Sequence, residues 1–256
     1  MKKIVFFDID GTLLDHHKKL PASTKEAIRL LKEKGIYVAI ATGRAPFMFE
    51  GIREELDIHS YVSFNGQYVV FEDEVIYRNP LKTEALNLLL ERADGNGVPL
   101  IFMNEATMRS SVPYSDHIAE TLGTFSLGHP EKDEYFFREN DIYQTLLYVP
   151  EQEMEGYEGI SHELRYVRWH PVCVDVLPEG GSKAAGIELF IKKAGFCIQD
   201  VYAFGDGLND IEMLQTVGTG IAMGNAEQAL LQHADIVTTD VENDGIWNGL
   251  KKIGLI

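Results

Sequence analysis

Near the start of this 256-residue chain an apolar run, Ile4-Val5-Phe6-Phe7, leads directly into Asp8-Ile9-Asp10-Gly11-Thr12. The run has the character of a buried strand, where an uncompensated carboxylate is costly, so the two acids must stand at the strand's end with something to balance them. Two other apolar runs stop at residues suited to phosphate chemistry: residues 38–41 end at Thr42, and residues 201–204 end, one glycine later, at Asp206. Ligands of open α/β sheets bind beyond the carboxyl ends of the strands, so Asp8, Thr42 and Asp206 could meet in one place. At about 4 Å and an effective dielectric near 20, the two carboxylates would repel by roughly 4 kcal/mol. A divalent cation between them turns that repulsion into binding. Carboxylates without clustered His or Cys suit a hard ion, and Mg2+ fits best, because it uses one or two carboxylates together with waters and phosphate oxygens. An EF-hand calcium loop is excluded: its glycine would fall where Leu13 stands after Asp8, and Leu208 occupies the third position counted from Asp206. Lys183 follows the expected N-cap residue, Ser182, at the positive end of a helix, where the dipole disfavours a cation. A residue set against its local preference points to function.

The elements that must carry these residues alternate. Residues 21–34 predict an amphipathic helix, with Ser23 and Glu26 in capping-box spacing, apolar Ala27, Ile28 and Leu31, and a stop at Gly35. The β-branched run IYVAIAT (36–42) predicts a strand, and a second helix leads to YVSF (61–64). Towards the other end, a helix over 182–194 closed by Gly195, the strand DVYAFG (200–205), a short helix near 209–215, the run GTGIAM, and DIVTT (235–239) repeat the theme. Such alternation, with right-handed crossovers, predicts an α/β fold: a Rossmann-like three-layer sandwich around a parallel sheet. Residues 83–179 break the rhythm. There the pattern predicts helices at 83–94 and around 114–122, a short one near 151–156, and strands LIFMN (100–104), IYQTLLYV (142–149), LRYVRW (164–169) and VCVDVL (172–177). This is an antiparallel α+β module inserted into the first domain, giving a discontinuous core of 1–82 and 180–256.

At this point the residues resemble a known family. D8-I-D10-G11-T12, T42-G43-R44, Lys183, and G205-D206-G207-L208-N209-D210 are similar, in order and spacing, to the four motifs of the haloacid dehalogenase (HAD) superfamily of phosphohydrolases, and the insert resembles the type IIB cap of its Cof-like branch. The resemblance covers essentially the whole chain. It implies that Asp8 attacks phosphorus to form an aspartyl-phosphate and that Asp10 serves as general acid and then general base, its backbone carbonyl also binding Mg2+. It implies that Gly11 turns the chain closely in a loop whose backbone N–H groups cradle phosphate oxygens, and that Thr42 and the Gly43 amide hold a non-bridging oxygen. Lys183 would neutralise transition-state charge, Asp206 would complete the metal site with Asp8, Asp210 would orient a metal water or Lys183, and Asn209 would touch substrate or support its loop. The implied activity is hydrolysis of phosphate monoesters of small metabolites such as sugar phosphates, nucleotides or a vitamin B6 phosphate, with the cap selecting among them. Arg109, Arg165, Arg168 and His170 are the cap cations available to a second anionic group or to sugar hydroxyls. A phosphomutase of the phosphomannomutase kind and a non-catalytic sugar-phosphate sensor are the alternatives; a dehalogenase has no clear use for Asp10.

Composition narrows the field further. With 45% hydrophobic residues the chain has a core's worth of apolar side chains, and no apolar stretch approaches a membrane span. No signal-peptide pattern precedes the first strand, so a cytoplasmic location is expected. The net charge of -17 and the lack of a Lys/Arg-rich run argue against a nucleic-acid partner. Oligomeric state is not legible. Cys173 and Cys197 sit in apolar contexts and are expected to be buried thiols, the histidines fall in no zinc spacing, Arg44 is expected in a structural ion pair, and Asn65-Gly66 reads first as a turn into the hairpin YVVF–VIYR.

Overall fold

In the computed structural model, which describes residues 2–256, the strands in chain order are β1 (Ile4–Phe7), β2 (Tyr37–Ala41), β3 (Tyr61–Ser63), β4 (Tyr68–Phe71), β5 (Glu74–Arg78), β6 (Leu100–Met103), β7 (Met108–Ser110), β8 (Gln144–Leu147), β9 (Leu164–His170), β10 (Cys173–Pro178), β11 (Val201–Gly205), β12 (Thr219–Ala222) and β13 (Ile236–Val237). The α-helices are α1 (Ala22–Glu33), α2 (Glu50–Leu56), α3 (Thr83–Gly95), α4 (Asp116–Gly123), α5 (Lys183–Ala194), α6 (Ile211–Thr216), α7 (Gln228–Leu231) and α8 (Gly245–Lys252). They form two compact units, one of residues 2–44, 50–78 and 182–256, the other of residues 45–49 and 79–181.

The first unit is built on an eight-stranded sheet in the order β13-β12-β11-β1-β2-β3-β4-β5. All pairs from β13 to β3 are parallel, and the β4–β5 hairpin adds an antiparallel edge. Strand β1, IVFF, is wholly buried, as a central strand covered on both faces must be. Ile4 and Phe6 face a core shared with Ile187 and Phe190 of α5 and with Met213 and Leu214 of α6. On the opposite layer Phe7 stacks on Phe204, and Gly249 of α8 packs so tightly on Phe204 that a Cβ would come within 2.6 Å of its ring. This is the three-layer α/β sandwich expected from the alternation. Helix α1 departs from expectation at its start: it begins at Ala22 after Pro21, with no side-chain cap, so Ser23 lies inside the first turn and Glu26 binds Arg29 instead of closing a capping box. Proline pre-sets the extended approach to the helix, and the cap signal then has no role.

The second unit carries a five-stranded antiparallel sheet, β7-β6-β8-β10-β9. One face, with Leu100, Phe102, Leu147, Val174 and Val176, packs against Ala85, Leu86, Leu89 and Ala93 of α3. Strand β7 has no counterpart in the expected elements; at three residues, Met108-Arg109-Ser110, it is too short to show a period. Cys173 is buried as expected, but Cys197 is exposed, because its apolar neighbours Phe196 and Ile198 flank it at the loop between α5 and β11. Among the described residues no helix is long and apolar enough to cross a membrane.

Candidate active site

Strands β11, β1 and β2 are adjacent in the sheet, so their carboxyl ends bring Asp206, Asp8 and Thr42 to one edge. Asp8 continues the ladder by one bond, its N–H donating to the Phe204 carbonyl at 3.0 Å, and its carboxylate is buried. Helix α5 delivers the lysine. Ser182 caps it by accepting from the Ala185 N–H at 3.2 Å, and the helix start is pressed onto Gly66: a Cβ there would lie 2.1 Å from the Ser182 carbonyl oxygen. Lys183 is therefore 1% exposed, and its Nζ donates to Asp8 Oδ1 at 2.6 Å and to Asp210 Oδ1 at 2.7 Å. Asp210 spends its other oxygen on the backbone N–H groups of Asp206 and Gly207, each at 3.0 Å, which fixes the loop that carries Asp206. Gly205 is needed beneath it, since a Cβ there would meet the Asp210 carboxyl at 2.6 Å.

Asp206 is held from the other side by Thr12, whose hydroxyl donates to Oδ1 at 2.8 Å. Gly11 adopts φ 79°, and a Cβ on it would come within 2.1 Å of Asp206 Oδ2. Its own N–H donates to the Leu14 carbonyl at 2.9 Å, so this glycine serves the site through close backbone approach. Asn225 ties the same loop down: its amide donates to the Gly11 carbonyl at 2.9 Å and accepts from the Val241 N–H at 2.8 Å.

Asp8, Asp206 and Asp210 offer carboxylate oxygens that all lie within 4.8 Å of one another. Burial pushes the Asp8 carboxyl up to about 8, with Lys183 pulling against it and the charges of Asp210 and Asp206 adding to the push. Burial likewise raises Asp206 to about 7, against the Thr12 hydrogen bond. Three crowded carboxyls with a single lysine among them lack positive charge, and an all-oxygen donor set of this kind fits a hard divalent cation. Such an ion would supply the charge that keeps Asp8 ionised and would draw a phosphate oxygen to the site.

Asp10 lies apart from that cluster. Arg44 Nε donates to its Oδ2 at 2.8 Å and Nη2 to its Oδ1 at 2.6 Å, while Lys18 Nζ reaches Oδ1 at 2.5 Å. Burial works to raise the Asp10 carboxyl, but the hydrogen bonds and charges of Arg44 and Lys18 prevail and hold it below the usual carboxylate range. The Thr42-Gly43-Arg44 turn is self-bracing: the Thr42 hydroxyl accepts from the Arg44 N–H at 3.1 Å and its carbonyl from the Asn65 N–H at 3.1 Å. Gly43 lies against the Asn65 side chain, and Asn209 donates to Asn65 Oδ1 at 3.4 Å. Residues 64–66 form a short 3-10 turn in which Phe64 and Asn65 both take φ 51° and Gly66 φ 98°. An aromatic residue with positive φ is a strained backbone state, kept here by burial and by the α5 contact at Gly66. Thr12, Asn65 and Arg44 were within sight of the motifs; Asn225 and Lys18 gave no signal of spacing or pattern.

The carboxyl ends of three adjacent strands thus gather a buried carboxylate, a lysine, a strand-end threonine and a cluster of three carboxyl groups. The chain belongs to the haloacid dehalogenase-like hydrolase family, whose model matches residues 5–250. It is 47% identical over 254 residues to YkrA of Bacillus subtilis (strain 168), which carries the name of a phosphatase; the match covers 99% of this chain and 98% of the relative. A crystal structure of a protein from Geobacillus kaustophilus HTA426 superposes with a TM-score of 0.96 at 55% identity, covering 100% of both chains. The HAD subclass IIB sugar phosphatase BT4131 superposes with a TM-score of 0.87 at 29% identity, again over 100% of each chain.

Proposed function

We propose that the chain hydrolyses phosphate monoesters of small metabolites by a two-step mechanism through an aspartyl-phosphate on Asp8, with Mg2+ as the divalent ion. One observation carries the reading: the Asp8 carboxylate stands at the end of the central strand, bonded to Lys183 and within 4.8 Å of the Asp206 and Asp210 oxygens. In the first step an Asp8 oxygen attacks phosphorus in line, the bond from phosphorus to the ester oxygen breaks, and Asp10 protonates the departing alcohol. In the second, Asp10 takes a proton from water, the water oxygen attacks the aspartyl-phosphate, and inorganic phosphate leaves with Asp8 regenerated. Lys183 offsets the charge that accumulates on the phosphoryl oxygens, and the Thr42 hydroxyl with the Gly43 amide orients one of them. Asp8, Asp206 and the Asp10 carbonyl would hold Mg2+, whose contribution when bound is positive charge next to the phosphoryl oxygens; Asp210 steadies Lys183 and the Asp206 loop, and Asn209 contacts substrate or the Asn65 turn. Residues 83–179 act as the cap that selects the ester.

The roles of Asp8 and Asp10 are separable. Losing proton transfer at Asp10 slows reactions with poor leaving groups by about 100-fold to 10,000-fold. Phosphate release from a panel of small esters, with and without Mg2+, should be metal-dependent in the wild-type chain and absent in Asp8→Asn. Equal release by Asp8→Asn would overturn the mechanism.

A further inference from the structure

The loop after β1 and the loop after β11 carry the groups around the acidic cluster, and a third stretch, Met223 to Glu227 after β12, holds them both. Its Met223 N–H donates to the Gly205 carbonyl at 3.0 Å and its Glu227 N–H to the Asp206 carbonyl at 2.9 Å, so it grips the backbone on which Asp206 stands. Between these two points the Asn225 side chain reaches the other loop, donating through Nδ2 to the Gly11 carbonyl at 2.9 Å. A carbonyl held in place fixes its whole peptide plane. The plane that contains the Gly11 carbonyl also contains the N–H and Cα of Thr12, whose hydroxyl donates to Asp206 Oδ1 at 2.8 Å. Asn225 therefore closes a ring of contacts that runs from Asp206 through residues 223–227 to Gly11 and back through Thr12.

The stretch is firmly seated. The Gly224 N–H donates to the Thr239 carbonyl at 3.0 Å, and a Cβ on Gly224 would lie 2.3 Å from Asp240 Oδ1. Asn225 Oδ1 accepts from the Val241 N–H at 2.8 Å. The two bonds use both ends of the amide and settle its orientation, since only the NH2 end can donate to a carbonyl and only the oxygen can accept from an N–H. Asn225 is nonetheless exposed. A hydrogen bond that replaces bonds to water contributes only about 0.5–1.5 kcal/mol net, so global stability is a weak reason for a contact that spans 214 residues. Geometry is a stronger one. Gly11 has no side chain of its own to hold it, and its Cβ position lies 2.1 Å from Asp206 Oδ2, so a small rotation of its peptide moves the chain against that carboxylate or away from it.

We propose that Asn225 is a positioning residue for the cation site: by tying the Gly11 carbonyl to the stretch that also holds the Asp206 carbonyl, it sets the spacing of the two loops whose groups would surround the ion. This rests on the divalent-ion reading of the Asp8, Asp206 and Asp210 cluster. Both bonds of Asn225 go to backbone atoms, so it acts through the loops and not on the ion. A control lies close by. Asn248 is likewise exposed and bonds the neighbouring loop, through Nδ2 to Thr239 Oγ1 at 2.9 Å and to the Asn243 carbonyl at 3.1 Å, but has no bond to Gly11.

The test uses the full chain, stripped of metal by chelation, and two readouts that need no turnover. The first is calorimetric titration with MgCl2. Asn225→Ala should bind Mg2+ about tenfold more weakly than the wild type, the usual size for the loss of a group that orients a metal's surroundings. Its metal-free Tm should stay within about 3 °C of the wild-type value, and Asn248→Ala should bind Mg2+ as the wild type does. Equal affinity in Asn225→Ala and wild type overturns the proposal. An equal loss in Asn248→Ala overturns it too, because the effect would then belong to the loop at 239–243. The second readout is hydrogen exchange of the metal-free chain over residues 9–14, where the N–H groups of Gly11, Thr12, Leu13 and Leu14 are bonded within the loop or to Asp8. Exchange there should be faster in Asn225→Ala and unchanged in Asn248→Ala; no acceleration in Asn225→Ala overturns the proposal. If the wild type takes up no Mg2+, the metal reading fails, and the exchange measurement still decides whether Asn225 fixes the Gly11 loop.

Discussion

Arg44 grips both oxygens of Asp10, through Nε at 2.8 Å and Nη2 at 2.6 Å, and so ties the end of β2 to the loop that follows β1. A bidentate guanidinium fixes the plane of a carboxylate as well as its position, which a lysine ammonium cannot do. Arg44→Lys should therefore keep the charge but lower kcat about tenfold, while Lys18→Ala, at an exposed contact, changes it about twofold or less. Because Arg44 holds the Asp10 carboxyl down, Arg44→Met should also shift the basic limb of the pH–rate profile upward, since Asp10 then keeps its proton to higher pH. Steady-state kinetics across pH checks both expectations.

Among the described residues Lys183 is the only cation bonded to the buried pair Asp8 and Asp210. Breaking a buried ion pair by removing one partner leaves the other charge uncompensated, at a cost of about 3–5 kcal/mol. Urea unfolding of Lys183→Met without added metal should show a loss of that order. Added Mg2+ should recover part of it, because an ion in the acidic cluster supplies the missing charge.

Two glycines with similar backbone angles separate conformation from contact. Gly11 (φ 79°) would place a Cβ 2.1 Å from Asp206 Oδ2, whereas Gly35 (φ 72°) has nothing within 4 Å of its Cβ position. Gly35→Ala should cost only the left-handed conformation, about 1 kcal/mol. Gly11→Ala should cost more and should also push Asp206 out of the acidic cluster. Thermal-shift titration with Mg2+ is then expected to show metal stabilisation in Gly35→Ala and little or none in Gly11→Ala.

His59 sits between two carboxylates, with Nε2 2.9 Å from Asp57 and Nδ1 2.7 Å from Asp73. The Asp57 hydrogen bond is the chief cause that raises its pKa, and Asp73 adds to it. A group whose folded pKa is raised stabilises fully below its unfolded value, near 6.5, and loses that contribution as the pH climbs through the folded one. The Tm difference between wild type and His59→Gln should be largest below about pH 6.5 and should shrink as the pH rises above it. A difference that grows with pH would contradict the ion-pair account of this loop.

The α/β class with its parallel sheet and the meeting of three strand ends are legible in the chain because they rest on long-range regularities: apolar runs, their spacing, and the polar residue that ends each run. Phe7 followed by Asp8, and Phe204 followed by Gly205 and Asp206, are sharp changes that only a strand end tolerates. The partners of Asp10 are less legible. Arg44 lies 34 residues away, and nothing in a one-dimensional pattern distinguishes a guanidinium that meets a carboxylate from one that meets water. Asn225 is farther still, 214 residues from the carbonyl it holds, and has no periodic signal around it. Helix starts are also poorly encoded: Ser23 and Glu26 have the capping-box spacing, yet Pro21 sets the entry and the box does not form. The strained Phe64-Asn65 pair shows the same limit from the other side, since positive φ at an aromatic residue comes from the packing of α5 on Gly66 and not from the local sequence.

The covalent role of Asp8 is the centre of the account, and acid quench of the wild-type chain during turnover of a small phosphate ester, followed by peptide mass mapping, tests it most directly. The account predicts one phosphoryl group on the peptide that contains Asp8, dependent on Mg2+ and absent in Asp8→Asn. Full turnover with no phosphorylated peptide in the quenched wild type, or phosphoryl transfer to any other residue, would contradict it.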